Sequence, residues 1–198
     1  MKQTKTRVVT RIILKTLLYG GMLAIVATSP SPLLARKLFP ALLKAAKRKM
    51  NAKEDGRITD AQYKNAFYYL KNKGFLHMNY DNGQLHISLT EEGKEKAKKY
   101  AIDSLEIKKT KQWDKKWHLL IFDISDKHKI KREALRGKIK ELGLFQLQKS
   151  VWAYPYEFFK EADVLRDFFG LTKDEIQILT ATRIENDHRM RVFFNLKS

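Results

Sequence analysis

The sequence predicts an α+β protein in two parts, and three observations lead to this prediction. The first is a capped helical pattern followed by two alternating apolar runs around a polar turn, within residues 59–89. The second is a strand, helix, strand order that begins at Trp117. The third is charge: residues 1–110 hold 22 Lys and Arg against 9 Asp and Glu, a difference of +13, whereas residues 111–198 hold 18 against 13, a difference of +5. The two parts therefore differ in pattern and in charge.

The amino-acid composition limits the classes of function that this protein can have. The 198 residues carry a net charge of +18 and no cysteine. The lack of cysteine excludes disulfides and thiolate metal sites, so any metal would need oxygen or histidine ligands. A basic chain favours a polyanionic partner, namely DNA, RNA or an anionic membrane surface, although a basic surface with no specific partner is the alternative. The sequence contains no Gly-rich phosphate loop, no nucleophile elbow and no internal repeat.

The N-terminal stretch 8–28 is apolar and allows two interpretations. A positive start, an apolar run and small residues before Pro30 are typical of a signal or membrane segment. Lys15 interrupts this run, however, and the stretch after it is shorter than the roughly 20 residues that a spanning helix needs. The alternative is a long buried first helix that packs against the next helix or a partner subunit. We favour the buried helix, expect no membrane partner, and expect a cytoplasmic protein.

Two further helices are predicted before the hairpin. Pro32 opens the first, in which apolar residues recur at helical spacing up to residue 45. The second covers residues 59–73: Thr59 and Gln62 form a capping box, and Gly74 follows as a left-handed cap. Its buried stripe is Tyr63, Ala66, Phe67 and Leu70.

A hairpin completes this part of the chain. The run from 75 to 80 is strand-like, Asp81-Asn82-Gly83 is a turn, and an alternating run from 85 to 89 returns. Thr90 then caps another helix. Three helices followed by a two-stranded hairpin are the layout of a winged helix, so residues 1–100 are predicted to be a winged-helix DNA-binding domain, followed by a basic linker at 101–116.

In this layout the helix 59–73 is the recognition helix that enters the major groove. Lysines suit phosphates, and amides read base edges. The predicted DNA-binding residues are Gln62, Lys64, Asn65, Tyr68, Lys71, Lys73 and Asn82. The alternative is that the lysines form a merely solvated face and that the hairpin is a packing element.

The second part, residues 117–198, is predicted to form a sheet with helices on one face. The elements are a strand at 118–124, a helix ending at Gly143, one or two strands over 144–154 with a break near Ser150, a helix at 158–169, and closing strands at 176–184 and 190–196. The order βαββαβ, with a further closing strand, is that of a ferredoxin-like α+β domain.

A family resemblance rests on this second part. The segments LLIFDISD and KREALRGKIKELGLFQLQKSVWAYPYEF resemble the central domain of the PaaX-type transcriptional repressors, named for phenylacetate catabolism. That domain is itself similar to the CRISPR adaptation protein Cas-two. The resemblance implies a Cas-two-like ferredoxin fold over 117–198 that forms a homodimer, with a winged helix preceding it.

The same resemblance raises an enzyme hypothesis centred on Asp123. Cas-two proteins have been proposed to be metal-dependent nucleases that use an aspartate at the end of the first strand, a position that matches Asp123. Magnesium or manganese would be the cofactor, with Asp126 as a possible second ligand and Ser150 matching a serine near the same site. The alternative is an ordinary loop-starting aspartate in a structural dimer. His118, His128 and His188 are expected at the surface.

Five aromatic residues beside the predicted strand could stack on bases but are expected in the core or an interface; they are Trp152, Tyr154, Tyr156, Phe158 and Phe159. The hypothesis favoured by the whole sequence is a sequence-specific duplex DNA-binding transcriptional repressor that acts as a homodimer without a cofactor. The alternative is a metal-dependent endonuclease, or a CRISPR-adaptation-like structural dimer, that uses Asp123.

Overall fold

The structure is a computed structural model that describes residues 2–21, 23–26, 59–81, 84–109 and 112–196. The chain divides into two compact units, 1–103 and 104–198, and each is described by itself. The predicted helix that opens at Pro32, together with Asn82 and Gly83 of the predicted turn, lies outside the described residues.

The first unit combines helices with a small antiparallel sheet. Its elements are α1 (Lys2–Gly20), β1 (Leu23–Val26), α2 (Asp60–Asn72), β2 (Leu76–Asp81), β3 (Gln84–Leu89) and α3 (Glu91–Asp103). The strand order is β1-β3-β2, with Leu23 opposite Ile87 and Leu76 opposite Leu89. The returning strand β3 therefore lies in the middle of the sheet.

The first helix packs against both α2 and α3, and its apolar residues fill the core of the unit. Val9, Leu14 and Leu17 are buried there. The interpretation of 8–28 as one long helix is wrong at its C-terminal end: the helix ends at Gly20, Gly21 takes a φ of +67°, and β1 follows. A strand forms here because β3 offers it a pairing edge, which local apolar periodicity cannot reveal. Within the described ranges, no helix combines the length and apolarity needed to cross a membrane.

The second unit is built on a four-stranded antiparallel sheet. Its elements are β4 (Trp117–Phe122), a 3-10 turn (Asp126–His128), α4 (Lys129–Glu141), β5 (Phe145–Gln148), β6 (Val151–Tyr154), α5 (Phe159–Phe169), β7 (Ile176–Ala181) and α6 (His188–Phe194). The strand order is β5-β6-β4-β7. The predicted break near Ser150 is present, because residues 149 and 150 form the turn between β5 and β6.

Successive residues of β4 face opposite sides of this sheet. On one side, α4 and α5 meet the strand: Arg136 lies over the Phe122 ring, and the Phe159 ring contacts the His118 ring. On the other side, Trp117 forms a buried cluster with Ala153 of β6 and Met190 of α6. Both faces of the sheet therefore carry helices.

The prediction of a closing strand at 190–196 is wrong, because His188–Phe194 is a helix. The alternation of Met190, Val192 and Phe194 fits a strand, but Met190 and Phe194 also lie one helical turn apart. In the structure those two residues face the sheet, whereas Val192 is exposed. Asn195 ends the helix with a φ of +53°. The expectation of helices on only one face fails for the same reason.

Candidate nucleic-acid interface

The helix α2 begins with the predicted capping box. The Thr59 Oγ1 accepts a hydrogen bond from the Gln62 backbone N–H at 3.4 Å, and the Gln62 Oε1 accepts one from the Thr59 N–H at 2.9 Å. Gly74 follows the helix with a φ of +71°, as the sequence predicts. The cap uses the side-chain oxygen of Gln62, so only its amide NH₂ remains for a contact with a base.

One face of α2 is buried and the opposite face carries the predicted DNA-binding residues. Tyr63, Ala66 and Leu70 pack into the core of the unit. The exposed or half-buried remainder of the helix and its C-cap includes Lys64, Asn65, Tyr68, Tyr69, Lys71 and Lys73. At 100° per residue, Lys64 and Lys71 project from the same flank, two turns and about 10 Å apart along the axis.

The lysines of α2 and its C-cap have no ionic partner among the described residues. Lys64, Lys71 and Lys73 form no ion pair with another residue that the structure describes, and Lys64 Nζ lies 6.0 Å from the centre of the Tyr68 ring. Tyr69, 43% exposed, extends this surface and is absent from the sequence-predicted set. Tyr69 lies outside the apolar stripe of this helix, and the sequence therefore indicates that its side chain is exposed.

The end of α2 is joined to the hairpin and to α3. The Thr90 Oγ1 donates to the Gly74 carbonyl at 2.7 Å and accepts from the Gly93 N–H at 3.0 Å, which confirms the predicted cap. A Cβ at Gly93 would lie 2.1 Å from the Phe75 carbonyl oxygen, so this close approach of α3 to the chain before β2 requires glycine. These contacts fix the direction in which α2 presents its exposed face.

The second candidate site lies at the end of β4. Asp123 is exposed, and its N–H donates to the Glu175 carbonyl at 2.9 Å; the preceding N–H, that of Phe122, donates to the Ser150 carbonyl at 3.1 Å. The fold thus brings Asp123 beside Ser150, as the resemblance implies, and also beside Glu175, which sequence reasoning missed.

The carboxylates near Asp123 already have partners within the protein. Asp126 forms an ion pair with Arg132. The Glu175 carboxylate accepts from the Thr172 N–H at 2.9 Å, and this bond, aided by the positive charges of Lys131 and His128, holds the pKa of Glu175 below its usual value. No group of three or more metal-ligating side chains occurs in the described part of the chain. Among the described residues, a magnesium or manganese ion at this place would therefore be held by Asp123 and water, without a cluster of protein ligands.

The histidine predictions hold in part. His128 and His188 are exposed, as expected. The surface prediction is wrong for His118, which is 2% exposed on β4, with its Nδ1 3.3 Å from the Thr180 hydroxyl. Burial lowers the pKa of His118 because the charged imidazolium loses its hydration, while the carboxylates of Asp114 and Glu157 oppose this shift.

The aromatic residues beside β6 mostly belong to the core. Trp152, Tyr154 and Phe158 are buried, Tyr156 is half-buried, and Phe159 is 46% exposed. The rings of Tyr154 and Phe158 meet edge to face with centres 6.0 Å apart. The core expectation is therefore correct for three of the five, and burial removes these three as stacking platforms for bases.

The second unit is an α+β domain with a βαββαβ core, one carboxylate at the end of its first strand, and a further helix on the second face of the sheet. Residues 110–192 match the family model described as the PaaX protein central Cas2-like domain. The second unit is thus similar to the central Cas2-like domain of the PaaX type, as the resemblance implied. A search of curated proteins found no match to the chain.

Proposed function

We propose that this protein is a transcriptional regulator that binds duplex DNA in a sequence-specific manner. The Cas2-like domain of the PaaX type points to a regulator of transcription as the class. The observation that carries the DNA-binding proposal is α2, whose exposed face holds Lys64, Asn65, Tyr68 and Lys71. The lysines would neutralise phosphates, and the amide would read a base edge.

The first unit supports a winged-helix interpretation. Its order is α1, β1, α2, β2, β3, and β1 pairs with β3 to make a three-stranded sheet. In a winged helix, the helix before the hairpin enters the major groove while the hairpin lies beside it. In this proposal α2 is the recognition helix, the β2–β3 hairpin with Asn82 at its turn is the wing, and Lys73 contacts the backbone.

The proposal includes a homodimer formed through residues 117–198. β7 is an edge strand of the sheet, and its Leu179 is 48% exposed. An edge strand with an exposed apolar side chain is a suitable surface for a second copy. A two-fold dimer would hold two recognition helices at a fixed separation and so favour palindromic sites, with repression by occlusion as the simplest outcome. Such a regulator would act in the cytoplasm and need no cofactor.

The proposal is tested by recovering the bound DNA from cells that express the tagged full chain. The recovered sequences should share a palindromic element, and a duplex carrying it should bind the purified protein more tightly than a scrambled duplex does. Sedimentation of the complex should give two chains per duplex. Recovery of DNA with no common element, together with equal affinity for both duplexes, would contradict sequence-specific binding.

A further inference from the structure

A second set of basic side chains on the first unit lies outside the predicted DNA-reading residues. Arg11 of α1 and Lys96 of α3 lie against Tyr100, and Arg7 lies one helical turn before Arg11; these three cations are called the α1–α3 strip below. The Arg11 guanidinium carbon lies 5.8 Å, and the Lys96 Nζ 5.0 Å, from the centre of the Tyr100 ring. Two cations from different helices thus share one aromatic ring.

The cations of α1 repel one another when no anion is bound. The helix carries five cations and no carboxylate; the cations are Lys2, Lys5, Arg7, Arg11 and Lys15. Arg7 and Arg11 lie one turn apart on the same side of the helix, and like charges at this spacing destabilise a helix. Packing of α1 against α3 adds Lys96 to them, so the fold concentrates positive charge along this line.

The acids of α3 on the side of Lys96 form no close ion pair with the strip among the described residues. Glu92 and Asp103 lie on the same side of α3 as Lys96, but neither forms an ion pair with another residue in the described ranges. The Arg11 Nε is buried and has no hydrogen-bond partner among the residues that the structure describes. An external anion would offset the repulsion between the strip cations.

The geometry points to a repeating anion. The two arginines are about 6 Å apart along the helix axis, and Lys96 extends the strip across to the next helix. Arg7, Arg11 and Lys96 form a line from one helix to the next, which successive phosphates of a nucleic-acid strand can contact. We propose that the α1–α3 strip binds the phosphodiester backbone of nucleic acid independently of base sequence. This inference rests on the proposed function for its choice of polymer, but it assigns a contact outside the reading surface.

The test compares two full-length double variants that lose the same charge. Arg7→Gln/Lys96→Gln removes two strip cations and leaves Arg11, which is part of the packing. Lys108→Gln/Lys109→Gln removes two exposed lysines that lie beyond α3. Both variants should retain the far-UV circular dichroism of the unmodified chain.

The measurement is the affinity for a fluorescent duplex as a function of salt. Each lost phosphate contact lowers the slope of log K against log salt by about 0.9. The strip variant should therefore show a slope smaller by about 1.8. When the salt rises from 50 to 200 mM, the factor by which its affinity falls should be about twelve times smaller than the factor for the unmodified chain. The reduction should be the same on the recovered duplex and on a scrambled one, and the lysine control should keep the original slope.

Equal slopes for the strip variant and the lysine control would overturn the assignment. If the unmodified chain binds no duplex, the proposed function fails, and the strip is tested on a single-stranded oligonucleotide. A smaller slope for the strip variant on that probe supports the strip. If the variant instead loses binding only to vesicles that contain phosphatidylserine, the strip is a membrane contact and the assignment is overturned.

Discussion

The two units use their positive charge in different ways. The first holds 20 Lys and Arg against 8 Asp and Glu, and its ion pairs between described residues, Glu91–Lys94 and Glu95–Lys98, lie on α3. The second holds 20 against 14; there α4 and α5 each carry an internal ion pair, and Arg191 of α6 pairs with the N-cap residue Asp187. Six cations of the second unit form ion pairs within it, whereas the α2 lysines Lys64 and Lys71 form none with another described residue; the six are Lys116, Arg132, Arg136, Lys138, Arg166 and Arg191.

The largest effect on function is expected from the exposed lysines of α2. Lys64→Gln/Lys71→Gln should reduce duplex affinity about tenfold or more at physiological salt, because two phosphate contacts are lost. Fluorescence anisotropy on the recovered duplex measures this loss. The matched control is Lys127→Gln/Lys129→Gln in the second unit, which removes the same charge and should change affinity less than about threefold. Equal losses of duplex affinity in the two variants would contradict the claim that the first unit contacts DNA and the second does not.

The largest effect on stability is expected from Arg166 of α5. Its Nε and Nη2 donate to the Ile176 carbonyl at 3.1 and 2.8 Å, and its Nη1 pairs with Asp163. Arg166→Met should lower the free energy of unfolding of the second unit by about 1–3 kcal/mol, because a charge-assisted bond to β7 is lost.

Tryptophan fluorescence during urea unfolding measures this change selectively, because all three tryptophans, at positions 113, 117 and 152, belong to the second unit. The control is Arg189→Met, at an exposed position of α6. An unchanged urea midpoint for Arg166→Met would show that the cations of this unit do not serve its fold as described.

A smaller, pH-dependent effect is expected from His118. Its folded-state pKa lies below the ordinary value of 6.5, because burial disfavours the charged imidazole. As the pH falls below 6.5, the unfolded chain binds a proton that the folded chain does not, so stability is lost until the pH reaches the folded pKa. Above 6.5 the group contributes no pH dependence.

The urea midpoint of the second unit should therefore fall between pH 7 and pH 5 more in the unmodified chain than in His118→Gln. The exposed His128 supplies the control, and His128→Gln should follow the unmodified chain. An identical pH dependence in all three proteins would argue against a buried neutral imidazole at position 118.

The smallest effect is expected from Asp123. Asp123→Asn should leave duplex affinity unchanged, and neither protein should cleave DNA or RNA with magnesium or manganese, because the proposed DNA-binding function uses α2 and gives Asp123 no part in it. Gel analysis of labelled substrates measures this. Cleavage by the unmodified chain that disappears in Asp123→Asn would instead support the nuclease hypothesis, with the second subunit completing the site.

The sequence predicted those elements whose signals are local. The Thr59–Gln62 capping box, Gly74 and the Thr90 cap are formed by residues close together in the chain, and the structure contains all three. The β4 to β7 order also followed from local patterns, supported by the family resemblance.

What the sequence could not show depends on distant contacts. β1 forms because it pairs with β3, some 60 residues away, whereas its local apolar spacing predicts a helix. The burial of His118 depends on Phe159 of α5. The apolar spacing of α6 fits both a strand and a helix. The packing of Met190 against Trp117 favours the helix. The α1–α3 strip likewise forms only where α1 packs against α3, a contact between distant parts of the sequence.

The central claim is that the first unit's cations contact DNA while those of the second unit do not. Lysine acetylation of the full chain, with and without the recovered duplex, tests it residue by residue when quantified by mass spectrometry. We expect the duplex to protect Lys64, Lys71 and Lys73, and to leave Lys127 and Lys129 modified to the same extent as in the free protein. Protection confined to Lys127 and Lys129, with the α2 lysines still reactive, would contradict the account.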